Sequence, residues 1–458
     1  MRGSSPQKVV LIRPLHGADE LEFQEPLGIE CLAGALIAAR REVTLFDRRL
    51  YERQGTLSGF WEDFFASGPY DLVGFSVMTA EDLPDALRML QRIRREWPET
   101  RFMLGGLYVT LAGEALRALV PDGVELVIGE GEGALLGLPF GPESWAPAYR
   151  PQLADYLREG CVINLRGARG CPGGCAFCAT PGLPPELRSW AGRAIPEIAD
   201  EIEKLTSFGA IFNFVEDDFG PLSRVEELDA ELRARDLRIA YSLQLRGAAL
   251  AGEDDLEARM ARLYDGGFCR LFIGVESLDP RTLRAWRKPL DPEAMINMLH
   301  GIERAGIAVH IGYILWHAGS TPEGVRDEVI KLRAQGFFST KCVFNRMILF
   351  AGSALAGGDP HSRWQALSPD CELRYRELTA RLKPLYNAWV AGATDLPRLV
   401  ALAHLTDDDR ARRRVEALLE ECDALAYAAV VDGMYPDDLD AQAARLAGEI
   451  DEVRRAGR

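Results

Sequence analysis

Arg169-Gly170-Cys171-Pro172-Gly173-Gly174-Cys175-Ala176-Phe177-Cys178 gathers three thiols into one short loop. Thiolates spaced in this way can converge on a single iron–sulfur cluster, and three ligands instead of four leave one iron open to bind and activate a ligand. Gly170, Pro172, Gly173 and Gly174 let the chain wrap tightly and aim backbone N–H groups at the sulfurs. A structural zinc loop or plain buried cysteines are the alternatives. Zinc sites usually close with a fourth Cys or His at short spacing, and none follows here before Cys269.

Downstream of the loop, strand and helix alternate. Cys161–Leu165 reads as the strand entering it, with Cys161 a core thiol, and 195–208 as a helix with Ile198, Ile202 and Leu205 at helical spacing. Apolar strands follow, each ending in polar residues. Residues 210–215 run into Glu216, Asp217 and Asp218, and 239–244 precede Arg246. Residues 271–275 precede Glu276, 308–315 precede Trp316 and His317, and 342–347 close the series. This pattern predicts an α/β unit of the (β/α)6 type, a partial TIM barrel whose strand C-termini carry the site.

Upstream, Lys8–Ile12, Glu42–Asp47, Asp71–Val77, Arg101–Gly106 and Glu125–Glu132 read as strands, with helices over Cys31–Ala39 and Leu83–Arg95. That is a doubly wound (Rossmann-like) parallel sheet, in which ligands sit beyond the carboxyl ends of the strands. Ser76, Thr79, Gly105, Gly106, Thr110, Gly129 and Glu130 lie at those ends. Glycines admit a bulky ligand close to the backbone and hydroxyls can bond a polar tail; as plain strand-end turns they would need no ligand.

Together these motifs resemble radical S-adenosylmethionine (SAM) enzymes that carry a cobalamin-binding domain, the class B radical SAM methyltransferase-like group. Cys-x3-Cys-x2-Cys with an aromatic before the last Cys is that superfamily's signature. Pro26-Leu27-Gly28, Gly105-Gly106 and Gly129-Glu130-Gly131-Glu132 match the cobalamin group in order. Phe214-Val215-Glu216-Asp217-Asp218-Phe219 and Gly274-Val275-Glu276-Ser277 are similar to its later strand ends, with Glu216 replacing an Asp. The resemblance implies a 4Fe–4S cluster on Cys171, Cys175 and Cys178, SAM on its open iron, and cobalamin as methylcobalamin. It implies Asp217 or Glu216 on the SAM ammonium, Arg246 on its carboxylate, Glu276 on its ribose and the Phe177 backbone at adenine.

Two departures stand out. The Asp-x-His-x-x-Gly cobalt ligand of many cobalamin proteins is replaced by Asp47-Arg48-Arg49-Leu50-Tyr51, so no imidazole ligand to cobalt is expected from this domain. Trp316-His317-Ala318-Gly319-Ser320-Thr321 replaces a Gly-x-Pro-Gly-Glu-Thr-like turn, placing an indole and an imidazole near the expected substrate space. His317 could take a proton there or simply be packed; Tyr313 could face the barrel; His310, inside a strand, reads as core. Tyr313 and His317 are the candidate catalytic residues.

The 458 residues are 47% apolar and 27% charged, which suits two or three globular domains. The net charge of -16 disfavours a polyphosphate partner such as nucleic acid, and the Arg410–Arg414 cluster reads as a solvated helix face. Nine cysteines in a chain this long are no disulfide scaffold. Met1–Pro6 and the short apolar run after it show no secretory signal, and no stretch reaches a membrane span. The expected place is the cytoplasm. The Pro- and Gly-rich 139–151 reads as a linker, and 357–360 as a break before helices over 372–390, 396–404, 407–430 and 437–455, with Pro384 kinking or interrupting the first. The expected domains are 1–145, 146–355 and 356–458.

The resemblance implies radical cleavage of SAM to methionine and a 5′-deoxyadenosyl radical, hydrogen abstraction from an unactivated carbon, and methyl delivery from methylcobalamin. The substrate is expected to be a small molecule, with an external electron donor such as flavodoxin or ferredoxin. A non-methylating cyclisation, rearrangement or oxidation would use the same motifs, and a non-catalytic iron–sulfur redox sensor would use the cluster alone.

Overall fold

The structure is a computed structural model that describes residues 8–17, 23–137, 148–288, 290–357 and 363–456. The leader reading of Met1–Pro6, most of the expected linker, and Gly358 to Pro360 of the expected break lie outside these residues.

The first sheet contains β1 (Lys8–Arg13), β2 (Glu42–Asp47), β3 (Leu72–Ser76), β4 (Arg101–Gly105) and β5 (Val124–Leu126). All pairs are parallel, in the order β2-β1-β3-β4-β5. Val9, Val10, Leu11 and Ile12 are all buried, as expected for a central strand covered on both faces. The covering helices include α1 (Leu27–Ala38) and α2 (Leu83–Glu96), whose buried Ala86, Met89, Leu90 and Ile93 repeat at helical spacing. The strand order reverses direction between β1 and β3, which opens a crevice at the carboxyl edge. The fifth strand is shorter than expected. Gly129 adopts φ 106°, which breaks the extended run, and α3 (Gly131–Leu136) starts directly after.

The second sheet contains β6 (Ile163–Leu165), β7 (Ile211–Phe214), β8 (Ala240–Gln244), β9 (Phe268–Glu276) and β10 (Ala308–Tyr313), all parallel and in chain order. Helices that follow the strands include α4 (Ile195–Leu205) and α5 (Pro322–Ala334). Where a sixth strand was expected over 342–347, the chain forms α6 (Thr340–Phe344), and Arg346 keeps only a single parallel bridge to Trp316. Asp423 fixes the start of α6 by accepting from the Thr340 N–H (2.5 Å) and hydroxyl (2.7 Å).

Beyond residue 363 come α7 (Pro369–Thr406), α8 (Arg410–Val431) and α9 (Leu439–Ala456). Two helices were expected here, 372–390 with a kink or interruption at Pro384, and 396–404, yet α7 runs unbroken through Pro384 and Pro397 for 38 residues. A helix-interior proline costs about 3 kcal/mol. Against that, α7 buries Leu378, Leu382, Leu385, Ala388 and Trp389 in the core, and each such side chain contributes roughly 1.5–3 kcal/mol. That core is continuous from Leu153 to Ile450. No described helix is long and apolar enough to cross a membrane.

One arginine fastens the two sheets together. Arg150 donates to Glu25 (2.6 Å) and to the Asn164 carbonyl (2.6 Å), and pairs with Glu201 (3.4 Å) and Glu30 (3.8 Å). Glu25 and Glu30 belong to the first unit, Asn164 and Glu201 to the second, and all four side chains are buried or nearly so.

A candidate cofactor cleft

The loop from Cys171 to Cys178 leaves β6 through Ala168-Arg169. Its three thiols are half-buried, whereas Cys31, Cys269, Cys342, Cys371 and Cys422 are buried. The Gly173 N–H points at Cys171 Sγ and the Thr180 N–H at Cys178 Sγ, each at 3.4 Å. Such donors favour thiolates that carry a cluster's charge. Glycine is needed at 170, where φ is 69° and a Cβ would lie 2.5 Å from the Ser189 carbonyl. Among the described residues no three His, Cys, Asp or Glu side chains form a single-ion site. A cluster needs none, because its thiolates ligate separate irons. Cys161 stands apart, donating to the Phe23 carbonyl at 3.3 Å, and burial lifts its thiol to about 12.

The expected SAM residues surround this loop, partly in other pairings. Arg246 runs past Gly173 and donates from Nε to Asp218 at 2.5 Å, so Asp218 orients it. Asp217 accepts from Thr180 Oγ1 at 3.0 Å. Glu276, at the strained φ of 70°, pairs with Lys288 at 2.9 Å. Phe177 packs edge-on against Trp286, and Trp286 edge-on against His317 at 5.0 Å. His317 Nδ1 accepts from the Gly319 N–H at 3.2 Å. The neutral ring therefore carries its proton on Nε2, and burial holds its pKa below the usual imidazole value. As placed, the ring can donate from Nε2, and taking up a proton would require losing the Gly319 bond.

Three expectations need correction. Trp316 is wholly buried, its indole donating to the Val343 carbonyl at 2.8 Å; the indole near the loop is Trp286. Tyr313 faces away from the bore. Its hydroxyl donates to Glu328 at 2.7 Å and accepts from the Leu278 N–H at 3.1 Å, leaving little for a substrate. His310, expected in the core, lines a large cavity.

A cavity of about 400 Å³ lies between the two sheets. From the first come Ser76, Gly105, Gly106, Thr110, Gly129 and Glu130, and from the second Arg166, Arg169, Gly170, Glu216 and Asp217. A Cβ on Gly106 would meet the Val77 carbonyl at 2.5 Å, and φ there is 104°, so only glycine lets β4 end this flat. Thr110 ties two strand ends together, donating to the Gly106 carbonyl at 3.0 Å and accepting from the Gly129 N–H at 3.2 Å. Met78 and Leu107 line the cleft yet remain exposed, an apolar floor that a bulky ring would cover. Thr79 does not line it; its side chain caps the turn at Ala80–Asp82. His16 bonds Asp82 at 2.8 Å. Across the cleft, Glu130 pairs with Arg169 at 2.9 Å. Sequence reasoning missed Arg169, Thr180, Trp286 and Lys288. Arg169 and Thr180, two residues either side of the cysteine loop, carried a positional signal; Trp286 and Lys288 did not.

Family models match at both sheets. Residues 22–138 match the B12 binding domain and residues 165–328 the Radical SAM superfamily. The chain joins a B12-binding domain to a radical SAM domain. A hopanoid C-2 methylase of Rhodopseudomonas palustris is 31% identical over 191 residues, 39% of this chain and 33% of that protein. A hopanoid C-3 methylase of Methylococcus capsulatus is 23% identical over 326 residues, 63% of this chain and 61% of that one. The chain thus spans less than two thirds of either relative. Among solved structures, the cobalamin-dependent SAM radical enzyme OxsB, with aqua-cobalamin and SAM bound, aligns over 98% of this chain and 75% of its own. Its TM-score is 0.72 at 15% identity. The radical SAM methyltransferase TsrM from Kitasatospora setae, with cobalamin and a 4Fe–4S cluster, aligns over 76% and 77% with TM-score 0.62 at 17% identity. At these identities the likeness is one of fold.

Glu216 offers a test of the shared wall between the B12-binding and radical SAM domains. Its Oε2 accepts from the Gly167 N–H at 3.0 Å, its Oε1 is buried without a partner, and burial raises its pKa to about 7. A carboxyl raised in this way contributes stability that is complete below the ordinary glutamate range and is lost as pH rises through about 7. Glu216→Gln does not titrate. In thermal melts of cofactor-free protein, the variant should gain on the wild type between pH 4.5 and pH 8, mostly below pH 7, by up to about 3 kcal/mol. A constant difference would mean that the carboxylate is compensated.

Proposed function

We propose that this chain is a cobalamin-dependent radical SAM methyltransferase that methylates an unactivated carbon of a small molecule. The observation that supports it is the shared cleft: glycine-rich strand ends of the B12-binding domain face Arg169, Gly170 and Asp217 beside the cysteine loop. When bound, the cluster and SAM supply radical chemistry and cobalamin supplies a methyl group. The chain's own part is to hold and orient. Cys171, Cys175 and Cys178 hold the cluster. Arg246, held by Asp218, takes the SAM carboxylate through its remaining guanidinium N–H groups, and Asp217 takes the ammonium. Glu276, held by Lys288, faces the ribose. Gly105, Gly106 and Gly129 seat the cobalamin backbone-close, and Phe177, Trp286 and His317 form a wall that excludes water. An external reductant supplies the electron.

The test is anaerobic reconstitution with iron, sulfide and hydroxocobalamin, then turnover of methyl-deuterated SAM with a small-molecule extract of the producing cells. Methionine release together with a deuterium-labelled small product is expected. Methionine release with only unlabelled products would replace methylation by another radical transformation. Failure to retain cobalamin would end the methylcobalamin reading.

A further inference from the structure

Three stretches of chain meet where Phe177 packs on Trp286. The cysteine loop supplies 169–184, the short helix Pro280–Ala285 with its exit supplies 280–288, and the chain beyond Trp316 supplies 345–356. Main-chain bonds tie them together. The Ala176 N–H donates to the Trp286 carbonyl (2.8 Å), and the Leu355 N–H to the Ala176 carbonyl (3.0 Å). Met347, Leu349 and Ala356 are buried with Trp286 in one small core against Phe177.

None of the three stretches contains an Asp or a Glu, although these make up 69 of the chain's 458 residues. They carry Arg169, Arg281, Arg284, Arg287, Lys288 and Arg346 instead. Arg169 pairs with Glu130, Lys288 with Glu276 and Arg346 with Glu372. Arg281, Arg284 and Arg287 are exposed, and no described residue forms an ion pair with them. Helical spacing sets Arg281 and Arg284 on the outer face of their helix, opposite the buried Leu283 and Trp286. Arg287 then adopts φ 54°, a left-handed turn that carries the chain from buried Trp286 to Lys288 with the Arg287 side chain outside. The flanking acids are bound into helix N-termini. Asp279 accepts from the Arg281 and Thr282 N–H groups, and Asp291 from the Glu293 and Ala294 N–H groups. The next acid on, Glu293, lies six residues past Arg287 in the following helix. By contrast, Arg410, Arg412, Arg413 and Arg414 each pair with a carboxylate.

A net charge of -16 repels an acidic protein from the surface at large, so a local basic face selects where such a protein lands. We propose that Arg281, Arg284 and Arg287 form the landing face of an acidic one-electron carrier protein, and that the electron enters at the cysteine loop behind them. One electron passes from the reduced carrier to the oxidised cluster; the carrier is oxidised by one electron, and no bond forms or breaks. Redox encounters of this kind use small, weak interfaces, below about 1,200 Å² in total, and draw their rate from charge. Electron entry rests on the radical function proposed above but not on methylation; the basic face rests on neither.

Stopped-flow mixing of anaerobic, reconstituted holoprotein with reduced flavodoxin, an acidic carrier, follows cluster bleaching directly. At low salt the rate constant should fall about tenfold or more in the triple variant Arg281→Gln, Arg284→Gln, Arg287→Gln, and about 0.15 M salt should cost the wild type a similar factor. Photoreduced deazariboflavin, small and uncharged, should bleach wild type and variant at rates within about twofold. A variant that flavodoxin reduces as fast as the wild type overturns the proposal. Equal slowing with both reductants overturns it too, because the arginines would then act on the cluster and not on docking. Calorimetry with oxidised flavodoxin reads the landing alone: arginine-dependent binding without bleaching by reduced flavodoxin would overturn electron entry at this face. Arginine-dependent bleaching without a deuterium-labelled product would end the methylation reading and leave this one standing.

Discussion

Cys178→Ala should leave the reconstituted protein without its iron–sulfur absorbance and without SAM cleavage, while cobalamin binding and the folding transition persist. The thiol is half-buried, its sulfur receives the Thr180 N–H, and Thr180 in turn reaches Asp217. Replacing it removes one of the three proposed cluster ligands and the anion at which that donor points. Loss of an outer-shell partner alone typically costs roughly 10–100-fold in affinity or activity, so loss of a direct ligand should exceed that and take SAM turnover to background. The protein itself should survive, because the loop contributes only Ala176 of its residues 171–178 to the buried apolar set. Visible spectra, methionine release and a melting curve on the same sample check all parts. Retained absorbance with full turnover would place the third ligand elsewhere.

Arg150→Met should cost about 3–5 kcal/mol of stability, since breaking a buried ion pair from one side leaves its partners uncompensated. Here the stranded partners are Glu25, Glu30 and Glu201. Burial already raises Glu25 and takes Glu30 to about 9, with Arg150 pulling both down. The sign follows from that. Carboxyls raised in the folded state contribute stability at low pH and lose it as pH rises through their folded values. Without the arginine those values climb further, so the deficit should be larger at pH 9 than at pH 6. Guanidinium midpoints of variant and wild type at both pH values measure it. A deficit that shrinks with pH would mean that the glutamates find another cation.

The two-unit organisation was legible because its signals are local. Short apolar strands alternate with helices, and one cysteine loop sits at the start of the second sheet. What escaped depends on parity and on distant packing. Counting by twos from His310 puts Gly312 inside the barrel and Tyr313 outside, which is where Tyr313 meets Glu328. Lys288 and Trp286 lie just past a six-residue helix, in a segment without periodicity to aim them. Glu276 was marked as a site residue, but its partner was invisible because Lys288 reaches it across a turn. Pro384 signalled a break that the burial of neighbouring leucines overrode, a tertiary effect no local propensity contains. In the cleft, Gly106 and Gly129 were found because glycine at a strand end is a local necessity, whereas Thr79 is a hydroxyl that serves its own turn.

The long helix α7 has a consequence for how the chain is made. Its apolar face completes the same core as strands that begin some two hundred residues earlier. During synthesis the first sheet can close as soon as its own helices are out. The second emerges with its inner face open and must wait for α7, then for α8 and α9 that brace it. Such long-range contacts are slow to form and leave apolar surface exposed meanwhile. The interval between the end of β10 and the end of α9 is thus when this chain is most open to aggregation, and slowed synthesis or lowered temperature would act there.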